Sequence, residues 1–151
     1  GKDGGAEDAG AVYGLWAFQV VDCGQLDLAE AAFVLHGEGA GDGAGWSIET
    51  LNDVDGDGLR DLVLGVGGND GVAADAGAVY WVSGVDLQEG GDLFLADFER
   101  WYGERKGDSA GFSIASLGDL NGDGGAELIV GASGDDSQGE NSGLAYIISD
   151  K

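Results

Sequence analysis

Short apolar runs, four to six residues long and separated by glycine- and aspartate-rich turns, recur along the whole chain. Runs of this length between turn residues predict β-strands rather than helices. Strand A is expected at Trp46–Leu51 and Phe112–Leu117, strand B at Leu62–Gly65 and Leu128–Gly131. Strand C is expected at Ala78–Val82 and Leu144–Ile148, which carry the β-branched and aromatic residues that strands favour. Strand D is expected at Leu93–Trp101 and, earlier, at Asp27–Leu35. Leu26–Phe33 has the composition of a short helix, but its counterpart Asp92–Phe98 alternates apolar and polar with period two, so both read as strands. Ala11–Phe18 reads as another C strand. No apolar run approaches the ~18 residues needed to cross a bilayer.

These runs repeat. Ala44-Gly-Trp-Ser-Ile48 returns as Ala110-Gly-Phe-Ser-Ile114, 66 residues later. Asp61-Leu-Val-Leu-Gly65 returns as Glu127-Leu-Ile-Val-Gly131, and Gly77-Ala-Val-Tyr-Trp-Val82 as Gly143-Leu-Ala-Tyr-Ile-Ile148, at the same spacing. Gly10-Ala-Val-Tyr13 foreshadows the last motif. Four antiparallel strands at such a period describe a blade of a β-propeller, an all-β fold. Residues 1–36 would supply the C and D strands of a first blade, 37–102 a complete blade, and 103–151 the A, B and C strands of a further one. A closed propeller needs roughly four to eight blades. About two and a quarter repeats therefore predict part of a longer propeller or of an assembly of chains. Both ends supply a C strand where one blade has room for one, which favours a fragment or an open array.

Composition sharpens this picture. Thirty-two glycines and no proline among 151 residues suit many tight turns. Twenty-nine acids against six Lys and Arg give a formal charge of −23, which makes nucleic acid and anionic membranes poor partners. The single Cys23 has no internal partner and is expected to be a small, partly buried residue. The absence of methionine and of a signal-peptide pattern reads as a processed product or excised fragment.

Two nine-residue acidic loops occupy the same place in the two repeats, between strands A and B. Asp53, Asp55, Asp57 and Asp61 put side-chain oxygens at positions 1, 3, 5 and 9 of the first. Asp119, Asn121, Asp123 and Glu127 do so in the second. Hard cations such as Ca2+ take six to eight oxygen ligands, and carboxylates this close repel one another without a cation between them. The pattern predicts two calcium sites. EF-hand loops open in the same way but need an acid at position 12; here that position is Leu64 or Val130, and strands flank the loops. At millimolar calcium, sites of the affinity common in extracellular modules would stabilise the fold by about 1–2 kcal/mol.

Other features point less far. His36 has no metal-spaced partner, and Gly37–Gly45 lacks the Gly-Lys-Ser/Thr ending of a phosphate loop. Lys106-Gly107-Asp108 matches a tripeptide recognised by some integrins, yet Ala40-Gly41-Asp42 shows its Gly-Asp to be the repeat's own turn. Trp16, Trp46, Trp81 and Trp101 have the chemistry to line a glycan site, but Trp46 and Trp81 recur as Phe112 and Ile147, as packing residues between blades do.

The chain resembles the FG-GAP repeat, the blade of the integrin alpha-subunit propeller and of many bacterial surface proteins. The family runs Phe-Gly-x-Ser-Val, a calcium loop, Asp-Leu-hydrophobic, Gly-Ala-Pro and Gly-x-Val-Tyr. Here the first element is Ala44–Ile48 and Ala110–Ile114, and Gly-Ala-Pro becomes Gly65-Val66-Gly67 and Gly131-Ala132-Ser133, so the name-giving Phe and Pro are both replaced. The resemblance implies calcium ligation by Asp53, Asp55, Asp57 and Asp61 with the carbonyl of Leu59, and by Asp119, Asn121, Asp123 and Glu127 with the carbonyl of Gly125. The second site is expected to be the weaker, because Asn121 removes a charge and Glu127 must fold back, unless Arg60 offsets the first. The implied protein is a non-enzymatic, extracellular or cell-surface segment with structural calcium, which binds proteins or glycans in adhesion. Alternatives are a module that self-associates through open blade edges, or the accessory propeller of a secreted carbohydrate-active enzyme.

Overall fold

The structure is a computed structural model in which residues 8–16 and 27–149 are described. Cys23 and the far end of the first expected strand, at Phe18, lie outside them. In chain order the strands are β1 (Ala11–Gly14), β2 (Phe33–His36), β3 (Ser47–Thr50), β4 (Leu62–Val66) and β5 (Ala78–Val82). A short helix α1 (Gly84–Glu89) follows, then β6 (Gly91–Phe94), β7 (Glu99–Tyr102), β8 (Ala110–Gly118), β9 (Glu127–Ala132) and β10 (Leu144–Ile148). They form three sheets. The middle one runs β3-β4-β5-β7, all antiparallel, which is one complete A-B-C-D blade. The third runs β8-β9-β10, and the first runs β1-β2-β6. The two C strands at the ends, β1 and β10, thus sit in different blades.

The apolar runs are continuous in β4 and β5 because the middle sheet is covered on both faces. Leu62, Leu64 and Val66 join Tyr80 and Val82 in one core that includes Leu35, Ala44 and Leu95 from the first-blade side. Val63 and Val79, pointing the other way, join Leu51, Leu128 and Val130 in a second core, with Trp81 packed against it. Side chains of one strand alternate between two faces, so every residue of β4 is buried. The Ala-Gly-aromatic-Ser motif makes the blades meet closely. Ser47 Oγ donates to the carbonyl of Gly111 at 2.8 Å, from one repeat to the next. A Cβ on Gly65 would overlap that same carbonyl, and Gly111 adopts φ 85°, which favours glycine. Trp46 and Phe112 touch, ring centroids 5.2 Å apart, although both remain largely exposed.

The expected D strands are shorter and later than their alternation predicts. Both open with a 3-10 turn, at Leu28–Glu30 and Leu95–Asp97, before β2 and β7. In the first, the Asp27 carboxylate accepts from Ala29 N–H at 3.0 Å and stabilises the turn. In the second, the turn lets Leu95 drop into the core at 1% exposure, whereas Leu28 is 52% exposed. The alternation in Asp92–Phe98 holds only to Phe94, because β6 leaves its own blade and pairs parallel with β2. Helix α1 was not foreseen; Ser83 caps it by accepting from Val85 N–H.

A repeated backbone feature extends the period into a third copy. Asp8, Asp75 and Asn141, each two residues before a glycine that leads into strand C, all adopt positive φ. Short polar side chains tolerate this region best among non-glycine residues.

Leu64→Ala should cost about 2–5 kcal/mol, since it opens a cavity at a fully buried site between two sheets. Ile147→Ala, at 60% exposure on the outer face of the third sheet, should cost under about 0.5 kcal/mol. Equilibrium urea unfolding reads both, and equal losses would contradict the two-faced burial of the middle sheet.

Candidate metal centre

The first acidic loop closes the β3–β4 hairpin, where glycines at Gly56 and Gly58 with positive φ let it coil tightly. Its carboxylates organise the backbone. Asp53 accepts from Gly56 and Gly58 N–H at 2.6 and 2.9 Å, Asp55 from Asp57 N–H at 3.1 Å, and Asp57 from Leu59 N–H at 2.6 Å. Asp61 accepts from Val54 and Gly84 N–H, each at 2.9 Å. Asp53, Asp55 and Asp57 come together with one ligand oxygen each, all within 4.8 Å of one another and all exposed. Asp61 is 1% exposed and ties the loop to the start of α1. A carboxylate offers about four lone-pair sites, so these bonds leave each oxygen further capacity for a cation.

The second loop, between β8 and β9, repeats the geometry. Asp119 accepts from Gly122 and Gly124 N–H, Asn121 from Asp123 N–H, and Asp123 from Gly125 N–H. Glu127, buried like Asp61, accepts from Leu120 N–H at 2.6 Å. Its extra methylene is accommodated, as its other oxygen accepts from the Asn121 amide at 2.8 Å. The carbonyls of Leu59 and Gly125 follow these bonded amides at position 7 of each loop. The two loops also face each other. Asp53 of one and Asp119 and Asp123 of the other line a common cleft of about 280 Å3.

Sequence reasoning missed Ser83 and Ser149. Ser83 Oγ donates to Asp57 at 2.9 Å, and Ser149 Oγ donates to Glu127 at 3.2 Å. Their signal was the common spacing, since both end strand C and stand 66 residues apart. The Asp57 carboxylate is held below the usual carboxylate range, first by Leu59 N–H, with Ser83 and Val85 adding to it. Stability from those bonds is present above the ordinary aspartate pKa and is lost as pH falls through the lower folded value. Arg60 does not lie across the carboxylates: its guanidinium donates to the Leu51 carbonyl and to Thr50.

The remaining candidates fall away from the loops. Asp108 of the Lys-Gly-Asp tripeptide is 2% exposed and accepts from Arg105 N–H, just as Asp42 accepts from Gly39 N–H. It serves the turn and is not displayed. His36 contacts Asp92 at 2.9 Å and stacks on Phe94. Trp81 packs at the boundary between middle and third blades, whereas its counterpart Ile147 is exposed.

Both repeats, loop and flanking strands together, match the family model of the FG-GAP repeat, at residues 44–80 and 110–148. The chain belongs to the FG-GAP repeat family. Integrin alpha-PS2 of Drosophila melanogaster is similar to it, 36% identical over 126 residues. That match covers 76% of this chain and 8% of the relative, so the FG-GAP chain spans a small part of the integrin's length. The FG-GAP match takes in strands A and B of both blades with their hairpin loops, strand C of the middle blade as far as Tyr80 and all of β10, and α1, β6 and β7 lie outside it. These findings establish blades of an integrin-type β-propeller.

Asp61→Ala should leave the Val54 and Gly84 N–H groups without their acceptor and cost at least ~2 kcal/mol. The loss should persist in EGTA, because it arises from backbone bonds. A melting temperature equal to that of the wild type in EGTA would contradict this anchoring role.

Proposed function

We propose that the chain is a calcium-stabilised propeller segment of an extracellular or cell-surface protein, non-enzymatic and engaged in adhesion or in binding protein or glycan ligands. One observation carries the calcium part. The Asp53, Asp55 and Asp57 oxygens converge at the tip of a hairpin whose backbone is coiled around them, and the second repeat copies the arrangement. The donor set is all oxygen, which suits a hard cation such as Ca2+ rather than the softer metals that take nitrogen and sulfur ligands. Asp53, Asp55, Asp57 and Asp61 would hold one ion, and Asp119, Asn121, Asp123 and Glu127 the other, with the carbonyls of Leu59 and Gly125. A bound ion supplies charge neutralisation to each hairpin. Similarity to an integrin alpha chain supports the extracellular adhesive role, with ligands met on loops at one rim of the propeller.

Isothermal titration should find two calcium sites, and EGTA should lower the melting temperature. Asp57→Ala should leave one site, that of the second loop. Unchanged melting in EGTA would refute the structural role, and two sites in the Asp57→Ala protein would show the first loop to be misassigned.

A second reading is a module that self-associates through open blade edges, and the exposure of Leu117 and Ile147 on the third sheet favours it. Light scattering in calcium should then show a species larger than the monomer. A stable monomer would rule it out.

A further inference from the structure

Asp57, Leu59 and Asp61 of the first loop all touch residues 83–85 at the start of α1. Ser83 Oγ and Val85 N–H donate to Asp57 Oδ2 at 2.9 and 3.2 Å, and Gly84 N–H donates to Asp61 Oδ1 at 2.9 Å. A Cβ on the buried Gly84 would overlap the Leu59 side chain and the Arg60 carbonyl, so the first residue of the helix lies directly on the loop. The other oxygens of the same two carboxylates stay within the loop. There Asp57 Oδ1 accepts from Leu59 N–H, and Asp61 Oδ2 accepts from Val54 N–H. Each carboxylate thus bridges loop and helix.

The helix leads straight into the contact with the preceding blade. It ends at Glu89, and β6 begins at Gly91, with Gly90 between them. Strand β6 pairs in parallel with β2, from Phe33 opposite Gly91 to His36 opposite Phe94. Gly91 N–H donates to the Ala32 carbonyl at 3.0 Å, and a Cβ on Gly90 would overlap that carbonyl. Asp92 contacts His36 Nε2 at 2.9 Å, and Phe94 stacks on the same ring, centroids 5.1 Å apart. Leu87 of α1 and Leu93 of β6 pack against the core that the first and middle blades share. Residues 83–94 therefore form a strap from the middle blade to the first. The acidic loop holds one end and β2 holds the other. The strap buries little of itself: Gly84 is the buried residue of α1, and β6 has none. Segments of this kind open locally at low cost.

A cation acts on the loop end. The oxygens of Asp53, Asp55 and Asp57 converge within 4.8 Å of one another, and like charges this close repel. Asp57, which carries the strap, is one of the three. We propose that the first loop controls the strap, an inference that rests on the calcium reading above. An ion held by Asp53, Asp55, Asp57 and Asp61 fixes Asp57 and Asp61 against the start of α1 and so keeps β6 seated on β2. Coupling between two sites is reciprocal, so a seated β6 also favours the ion. Calcium in one hairpin thereby sets how firmly two blades are clasped.

Hydrogen exchange of the full chain, read by mass spectrometry in saturating calcium and in EGTA, tests the strap. Calcium should slow exchange of residues 84–94 about tenfold, a coupling of ordinary size. The slowing should persist in the Asp123→Ala protein, altered in the second loop, and vanish in Asp57→Ala. Leu93→Ala and Phe94→Ala change no charge and stand outside the loop. In the Asp123→Ala background each should nonetheless weaken the first calcium site severalfold by isothermal titration. Unchanged affinity in both would overturn the coupling. So would equal slowing along the whole chain, which would assign the effect to global stability. Two bound ions with unaltered exchange at residues 84–94 would overturn the coupling and leave the calcium reading standing, whereas absence of an ion from the first loop would overturn both.

Discussion

A sheet that is apolar on both faces is not stable alone in water, and this constraint organises the molecule. Burial of apolar area is the main favourable contribution to folding, at about 25 cal/mol per Å2, and β4 and β5 place almost every side chain in one of two cores. Neither core belongs to one blade. Each is made by facing sheets, so a blade acquires its stability from its neighbours, as in other repeat architectures. The close crossing at Gly65, Ser47 and Gly111 sets how near those sheets come. The hairpin loops, being outside both cores, depend instead on their own carboxylates for order.

Much of this was legible in the chain. The spacing between Gly45 and Gly111 located the A, B and C strands of both repeats, because a buried sheet repeats its apolar residues at fixed intervals. It also placed the acidic loops at equivalent hairpin ends. The fourth strand was legible only in part. Its alternation mixes two environments, since Gly91–Phe94 pairs with the preceding blade while Glu99–Tyr102 pairs with its own, and a turn lies between them to bury Leu95. Helix α1 is short, and its start is set by bonds to Asp57 and Asp61 from a distant part of the chain. Local propensity holds no record of such contacts.

The acidic residues divide into two kinds that composition does not separate. Asp53, Asp55 and Asp57 are exposed at a hairpin tip. Asp42, Asp61, Asp108, Glu127 and Asp135 are buried, and each is placed against backbone or side-chain donors. The same residue type thus offers candidate metal ligands at a hairpin tip and holds turns together elsewhere, and Asp61 and Glu127, buried candidate ligands, belong to both groups. Burial tells them apart, since both kinds keep their backbone partners from one repeat to the next, and Asn121 shows that a loop position accepts a neutral oxygen.

The two faces of the middle sheet differ in kind as well as direction. Leucine, tyrosine and valine from β4 and β5 meet the preceding blade, while Val63, Val79 and Trp81 meet the following one. Each blade therefore has a head and a tail. In this chain the head of one blade meets the tail of the next at both contacts, so its blades follow one another in one sense, as units of a polar array do. The order of repeats along the polypeptide is then a vector, carried by the two unlike faces of a single sheet.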